Sequence, residues 1–486
     1  MKPLLVLTLM LLGLSQWGRP ITDPDLGWQL LGGDWILAHG SLPPFDFINS
    51  FNFNWHNYHW LAQILLSSIY GFSGFLGLKI AFGVSMAVLG LLVVLTAYAS
   101  APKRPVMPVI LLLSLGSFFY LNSISSIRPQ MWALALIGIA QLLLLRKKNP
   151  FELLSLFALT VLIANFHVYW IFIPALWVFH RIIPLLFQTK IQIQFHLVAV
   201  LVLLGAGLCT PYFLKTYALL FEYLHIAPIL REQIGEFQLG LTYSWGFFLL
   251  WLTTALIFAA HSSRKSIQEQ PGSYFAGLTG IIFGALSVKF SAFTGLFCLP
   301  YLSFVLHQRL SSFPSLTSQA RWQKHFLSAA CLLTGFVAFS RFPKASTINS
   351  EPVLSSKYAA SICGSLPQLG LVPSAGRSHV LLATNFNQGG WCRWAVAQEA
   401  PHFDVRVSTD GRTQYVPPSH YDASFALYSA STSSATNWQK TLAQWQPDAI
   451  LTSKKSPLYP ELLHTPNFAL LKEDPFFAIF KPTLPE

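Results

Sequence analysis

Acidic residues are scarce in this chain, and four of them lie in one polar segment near the amino terminus, residues 19–60. Of the 19 acidic residues among 486, this segment holds Asp23, Asp25, Asp34 and Asp46. Asp23 precedes Pro24, a pair typical of a helix N-cap and its first helical residue, and Gly40 would end that helix. A loop carboxylate can also act as a general base toward an attacking hydroxyl. The two roles are compatible if Asp23 caps the helix and Asp25 is the base.

The same segment leads into two histidines and a glutamine. His56, His59 and Gln63 are spaced by three and four residues, which predicts that they share one face of a helix. With a carboxylate they could bind a divalent cation. The alternative is a polar rim at the level of lipid headgroups, where they would hydrogen-bond to a substrate. The sequence leaves both interpretations open and names no other cofactor.

Basic residues stand at the ends of apolar runs. Arg128 directly precedes Pro129, where an apolar run begins, and a guanidinium there is costly unless it faces a cavity or a phosphate. Arg231, Lys289 and His167 are predicted to lie on the same side of the membrane as Arg128. Each alone could simply snorkel to the headgroups. Together they predict a site for an anionic lipid headgroup.

Composition assigns the chain to the membrane. It is 53% hydrophobic and only 10% charged, whereas ordinary soluble domains carry about 25% charged residues. Its apolar runs are continuous, which predicts an all-α polytopic bundle over residues 1–341. The predicted spans, about eleven, are 3–18, 74–99, 106–121, 129–145, 151–164, 168–187, 195–210, 245–260, 273–288, 291–307 and 325–341.

Charge distribution predicts the orientation. The net charge of +12 comes from short basic clusters between apolar runs, a pattern of membrane topology and not of nucleic-acid binding. With eleven spans these clusters all fall on one side, which is then cytoplasmic together with the amino terminus. Residues 19–60 become the first extracytoplasmic loop of a plasma-membrane protein, and the carboxyl-terminal region lies on that same outer side.

The last part of the chain differs in kind. After a linker at 342–356, short apolar runs and turn residues predict a small extracytoplasmic α/β domain over 357–486. Predicted strands cover 379–384, 404–408, 449–452, 468–471 and 476–480, with helices at 438–446 and 458–463. The 389–391 and 410–412 tripeptides, GGW and DGR, are interpreted as turns. Cys363 and Cys392 could pair if this domain faces an oxidising compartment.

Several motifs resemble those of bacterial polytopic glycosyltransferases of the GT-C type, in the branch related to dolichyl-phosphate-mannose mannosyltransferases. They are 23–30 (DPDLGWQL), 33–36 (GDWI), 59–63 (HWLAQ), 128–130 (RPQ), 164–167 (ANFH), 210–212 (TPY), 236–238 (EFQ), 389–391 (GGW) and 410–412 (DGR). The resemblance implies transfer of a sugar from a polyprenyl-phosphate donor to a glycan, lipid or protein acceptor, with inversion. It assigns catalysis to Asp25 or Asp23.

The remaining residues take supporting roles in this hypothesis. Arg128, with Arg231 or Lys289, would hold the donor phosphate. The expected substrate contacts are His56, His59, Gln63, His167 and Glu236. Two other functions compete with it, namely a transporter or flippase for a lipid-linked sugar and a non-catalytic envelope-assembly protein. A transporter would usually show repeated halves and polar groups near the bilayer midplane, and neither is evident.

Overall fold

The computed structural model of the protein describes most of the chain. The described residues are 2–21, 23–51, 53, 55–101, 107–123, 126–146, 149–188, 193–230, 234, 238–310, 320–340, 354, 357–412, 416–431 and 437–483, without the side chains of 122–123, 223–230, 320–324 and 337–338. Two predicted site residues, Arg231 and Glu236, lie outside this set. So does the predicted linker 342–356, except for Leu354.

The chain divides into two compact units. The first, here called the helical unit, comprises Met1–Arg19 and Lys79–Pro343. The second, the mixed unit, comprises Pro20–Leu78 and Lys344–Glu486. The polar segment that carries Asp23 and Asp25 therefore belongs to the same unit as the carboxyl-terminal domain, although residues 79–343 separate them in the sequence.

Helices occupy each of the apolar runs that the sequence singles out. Ahead of the sheet, the α-helices are Lys2–Leu14, Leu26–His39, Trp60–Ser100, Met107–Ser123, Pro129–Leu145, Glu152–Phe166, Phe172–Trp177, Gln194–Ala206, Lys215–Leu230, Gly240–Tyr243, Trp245–His261, Arg264–Glu269, Pro271–Leu286, Ser291–Leu310 and Ala320–Ser340. Irregular helical turns extend Phe172–Trp177 into one apolar stretch, Val168–Phe187. The long helix breaks at Ser73 and Gly74, where Gly74 has a φ of +60°.

The lengths of these helices determine how many of them could cross a membrane. Among the described residues, three helices are long and apolar enough to cross a bilayer, namely Trp60–Ser100, Val168–Phe187 and Val288–Leu310. The other apolar stretches among the described residues have 10 to 17 residues, whereas about 20 residues span the hydrocarbon core. The helical class is therefore confirmed, and the count of eleven crossings is not.

Close helix packing in the helical unit depends on small residues. A Cβ added at Gly280 would lie 2.7 Å from the Phe293 carbonyl oxygen, and one at Gly90 would lie 2.7 Å from the Leu9 carbonyl oxygen. Only glycine lets the helix backbones approach so closely, a device common between membrane helices.

The mixed unit contains a five-stranded sheet. Its strands are β1 (Val380–Ala383), β2 (Val405–Val407), β3 (Ala449–Ser453), β4 (Phe468–Glu473) and β5 (Phe477–Pro482). The order is β2-β1-β3-β5-β4, parallel among the first three strands and antiparallel thereafter. The helices of this part are Ala360–Gly364, Gly389–Glu399, Pro418–Tyr428, Trp438–Trp445 and Leu458–His464. The predicted small sheet of five strands near the carboxyl terminus is confirmed.

Residues of the amino-terminal polar segment cover the open edge of this sheet. Asn49 forms a parallel bridge with Val407 of β2. The Val407 amide donates to the Ile48 carbonyl at 2.9 Å, and the Ser50 amide donates to the Val407 carbonyl at 3.0 Å. An uncovered strand edge would leave these backbone groups unpaired. The segment therefore completes the sheet.

A disulfide joins Cys363 to Cys392 across 29 residues of sequence. Both side chains are fully buried, Cys363 in the Ala360–Gly364 helix and Cys392 in the Gly389–Glu399 helix. The sequence left this pairing open, because nothing in it fixes the distance between the two residues. The bond ties the start of the domain to the helix that follows β1.

Candidate functional site

The two aspartates that the sequence singles out lie at the start of the Leu26–His39 helix. The structure corrects their roles as caps, because Asp25 and not Asp23 occupies the N-cap position, and Pro24 precedes the helix. Asp23 is buried, and its Oδ1 accepts a hydrogen bond of 2.8 Å from the Asp25 amide. The predicted end of the helix is confirmed, since Gly40 is its C-cap with a φ of +63°.

This helix packs on the Gly389–Glu399 helix at glycines of both. A Cβ added at Gly27 would lie 2.7 Å from the Gly390 carbonyl oxygen. Next to this contact, the Trp391 indole donates a 2.7 Å hydrogen bond to the Asp23 carbonyl oxygen. The GGW tripeptide was predicted as a turn, but it begins the Gly389–Glu399 helix. Its second glycine and its tryptophan contact the aspartate segment.

Asp25 lies directly against the tripeptide that follows β2. A Cβ added at Gly411 would lie 2.0 Å from Asp25 Oδ1 and 3.3 Å from the Trp28 indole nitrogen. Glycine is required here for close approach of a carboxylate to the backbone. Asp25 itself is half-buried. The proposed base therefore adjoins the 410–412 turn, at the carboxyl end of a parallel strand, where α/β sheets commonly bind ligands.

A pocket opens at this edge of the sheet. Its interior is small, about 10 Å³, which is room for about one water molecule. Polar groups and aromatic rings both line it. The lining residues are Asp46, Asn49, Phe53, Trp55, Thr409, Asp410, Arg412, Val416, His420 and Tyr421.

A buried guanidinium organises the pocket. Arg412 Nη2 lies 2.6 Å from Asp410 Oδ2 and 3.0 Å from Asp46 Oδ1, and its Nε donates to Asp410 Oδ1 at 2.8 Å. Its carbon Cζ lies 4.5 Å from the centre of the Trp55 ring, a cation–π distance. Burial alone would lower the pKa of Arg412, but the two carboxylates raise it. Arg412 is therefore permanently charged.

Burial in this pocket shifts the pKa values of Asp46 and His420. Burial raises the pKa of Asp46, which Arg412 opposes by favouring the charged carboxylate. Burial also lowers the pKa of His420. His420 Nε2 lies 2.8 Å from the Ser408 carbonyl oxygen and must donate to it, while the ring stacks on Trp445 at 4.9 Å. Burial thus favours the neutral imidazole, and the Ser408 contact places its proton on Nε2.

The histidine and glutamine group is only partly as predicted. The helix begins at Trp60, so the prediction that His56 shares a helix face with His59 and Gln63 is wrong. His59 is buried, with Nδ1 3.4 Å from Gln29 Nε2. Gln63 is fully buried, and its side-chain oxygen accepts a 2.6 Å hydrogen bond from the side-chain nitrogen Nδ2 of Asn57. Among the described residues, no three His, Cys, Asp or Glu side chains lie close enough together to hold a metal ion.

The remaining predicted residues belong to the helical unit and stand at helix ends. Arg128 is the half-buried N-cap of Pro129–Leu145. His167, the C-cap of Glu152–Phe166, and Lys289 are both buried.

Aromatic rings connect these helix ends. Trp132, one turn into the Pro129–Leu145 helix, meets Phe166 at 5.9 Å between ring centres. Tyr169 meets His167 at 4.0 Å and Phe290, the neighbour of Lys289, at 6.4 Å. The ends that carry the three basic residues thus lie in one neighbourhood of the helical unit.

Sequence reasoning missed the pocket residues Trp55 and His420 and gave Asp46 no role. It noticed the 410–412 tripeptide as a turn and as a motif of the resemblance, but gave Arg412 no role. The available signal was the cluster of aspartates in 19–60, which marked one side of the pocket. Comparison of the chain with family models and with curated proteins gives no match in either case, so the site must be interpreted from its own chemistry.

Proposed function

We propose that the protein is a membrane glycosyltransferase with an inverting mechanism, which moves a sugar from a polyprenyl-phosphate donor to an acceptor on the extracytoplasmic side. In this proposal the helical unit forms a GT-C-like bundle of about eleven spans. Asp25 removes the proton from the acceptor hydroxyl, which attacks the anomeric carbon while the lipid phosphate leaves. Asp23 positions Asp25 by accepting a hydrogen bond from its amide.

One observation carries the proposal. The half-buried Asp25 carboxylate rests on the Gly411 backbone, and both neighbours of Gly411, Asp410 and Arg412, line a pocket. A general base must lie within reach of the group it deprotonates. Asp25 itself does not line the pocket, but it lies against the residue between two that do.

Two further observations support parts of the proposal. Arg128, His167 and Lys289 stand at helix ends of the helical unit, and a guanidinium or ammonium group is the kind of group that binds a phosphate. The buried disulfide of the mixed unit supports an extracytoplasmic location, because such bonds persist in oxidising compartments.

The test uses a deletion strain, which is expected to accumulate a polyprenyl-phosphate-linked sugar. Wild-type protein should clear this lipid, whereas Asp25→Asn should slow its consumption by roughly 10²–10⁴-fold because the base is lost. Asp34→Asn is the matched control, an acidic residue of the same segment that accepts a hydrogen bond from Ser67. Membrane levels of all variants are compared by immunoblot.

Other outcomes separate the competing functions. Full consumption by both Asp23→Asn and Asp25→Asn would show that neither is the base. Movement of an unchanged lipid-linked sugar across the membrane would identify a flippase. Normal lipid pools in the deletion strain, with a defect only in envelope assembly, would favour a non-catalytic role.

A further inference from the structure

A polar cleft of about 250 Å³ opens in the helical unit. It is far larger than the pocket beside Asp46, which has room for about one water molecule. Its lining comes from the ends of two apolar helices, Trp245–His261 and Ser291–Leu310, and from residues 263–266, which follow the first of them. The polar lining residues are His261, Ser263, Lys265, Ser266, Gln308 and Arg309.

The charge of this cleft favours an anion. Lys265 and Arg309 line it, and no carboxylate among the described residues does, so the formal charge of the lining is +2. Glu269 lies outside the lining, where its Oε2 accepts a 3.0 Å hydrogen bond from Nε2 of Gln308. Even with Glu269 included, positive charge is in excess. An anion in the cleft is therefore attracted by two full positive charges.

The helix ends at the cleft oppose an anion only weakly. The carboxyl end of a helix carries about half a negative charge, which is less than the full charge of either cation in the lining. Side chains also occupy carbonyl groups at the end of Trp245–His261. The Ser262 hydroxyl donates to the Phe258 carbonyl oxygen at 2.7 Å, and His261 Nδ1 must donate to that of Ile257 at 2.9 Å.

Hydroxyl groups add neutral donors beside the two cations. The hydroxyl oxygens of Ser263 and Ser266 lie 2.8 Å apart, and the Ser263 oxygen also accepts a 3.1 Å hydrogen bond from the Ser266 amide. The two hydroxyls carry two protons for their one mutual contact, so one proton remains for another acceptor. Cations and hydroxyls together suit an anion with several acceptor oxygens, and phosphate is such an anion.

From these observations we propose that the cleft binds a phosphate group, whose oxygens accept hydrogen bonds from Lys265, Arg309 and the serine hydroxyls. Arg309 lies at the end of Val288–Leu310, which is long and apolar enough to cross a bilayer. Lys265 belongs to a basic cluster that the sequence predicts to be cytoplasmic. A phospholipid headgroup and a soluble phosphate both carry this group. The cleft shares no residue with the candidate site, so it does not depend on the proposed function.

The competing role of these basic residues is to orient the protein in the membrane. Arg264 separates the two roles, because it is an exposed neighbour of Lys265 that does not line the cleft. Attraction by the charge of the whole loop would depend on both residues alike. A phosphate site depends on the residues that line it.

The test uses the purified full-length protein in a maltoside detergent. Native mass spectrometry follows the binding of phosphatidylglycerol and, in a separate sample, of phosphatidylcholine. Phosphatidylcholine should bind about fivefold more weakly, because the two cations repel its choline group. Broadening of the ³¹P NMR line measures the binding of inorganic phosphate. Binding of phosphatidylglycerol alone would identify a lipid headgroup as the ligand, and binding of inorganic phosphate would identify a soluble one.

Variants locate the binding. Lys265→Gln and Arg309→Gln should each weaken the bound ligand about fivefold, and the double variant about twentyfold, as expected for basic residues near an anionic headgroup. Arg264→Gln is the matched control and should keep the affinity within about twofold. All three side chains are exposed, and hydrogen exchange of the helical unit verifies that each variant is folded.

Three results would overturn the phosphate site. The first is no binding of either phosphatidylglycerol or inorganic phosphate. The second is unchanged affinity in the folded double variant. The third is an equal loss in Arg264→Gln and Lys265→Gln, which would mean that the charge of the loop attracts the ligand without a site.

Discussion

The two units bury ionic groups in different ways. In the helical unit, Arg181 pairs with Glu152, and each side chain is 9% exposed. In the mixed unit, Arg412 is held by two carboxylates, one its near neighbour Asp410 and the other Asp46 from the amino-terminal segment. The first pair joins two helices. The second arrangement joins two distant parts of the sequence and also lines a pocket, so it combines a structural role with a candidate binding role.

Close backbone contacts show the same difference. Gly280 of the helical unit lets one apolar helix lie against the next. Gly27 and Gly411 of the mixed unit instead bring the aspartate segment onto the sheet domain. Small residues thus serve packing in one unit and construction of the candidate site in the other. Breaking such a contact in the mixed unit should therefore disturb the candidate site as well as the local packing.

The largest expected effect on stability comes from removing the arginine of each buried ionic group, Arg412 in the mixed unit and Arg181 in the helical unit. Arg412→Met leaves Asp46 and Asp410 buried without their cation, which should cost about 3–5 kcal/mol. Arg181→Met leaves only Glu152 and should cost less, because one carboxylate and not two is left. Hydrogen exchange of the full-length protein measures the free energy of opening in each unit. Equal losses in the two variants would contradict the proposed difference between the units.

The disulfide provides the second test. Replacing both Cys363 and Cys392 by Ala should destabilise the mixed unit by about 2–4 kcal/mol, because the unfolded segment between them gains conformational entropy. Cys298→Ala is the control in the helical unit, where this buried thiol donates a 3.2 Å hydrogen bond to the Gly277 carbonyl oxygen. Its effect should be confined to that unit. Unchanged exchange around β1 in the double variant would show that the bond is not structural.

Much of the secondary structure could be predicted because its signals are local. The run 129–145 begins with Pro129 and contains only apolar and neutral residues, and the helix occupies these same residues. Strand β3 was predicted at 449–452 and ends at Ser453. Continuous apolar runs and short β-rich runs contain this information without any knowledge of neighbours.

The candidate site could be predicted only in fragments, because distant contacts build it. The Asp-Pro pair predicted Asp23 as the N-cap, but the bond from Trp391 holds the Asp23 carbonyl and the helix starts later. The spacing of His56 predicted a helical face, although the helix begins beyond it. No local pattern reveals that Asp46 meets Arg412, which follows it by 366 residues.

The smallest expected effect is the pH dependence that His420 gives to the stability of the mixed unit. Burial lowers the pKa of His420, so the folded mixed unit favours the neutral imidazole. The unfolded chain takes up a proton near pH 6.5. The contribution of His420 to the free energy of unfolding is therefore fully present above that pH. It falls as the pH drops below it, by at most about 1.4 kcal/mol per pH unit for one proton. His420→Gln should flatten this slope in hydrogen exchange of the mixed unit measured between pH 7 and pH 5. The slope of the wild-type mixed unit over the same pH range is the reference, and an unaltered slope in the variant would mean that another group titrates.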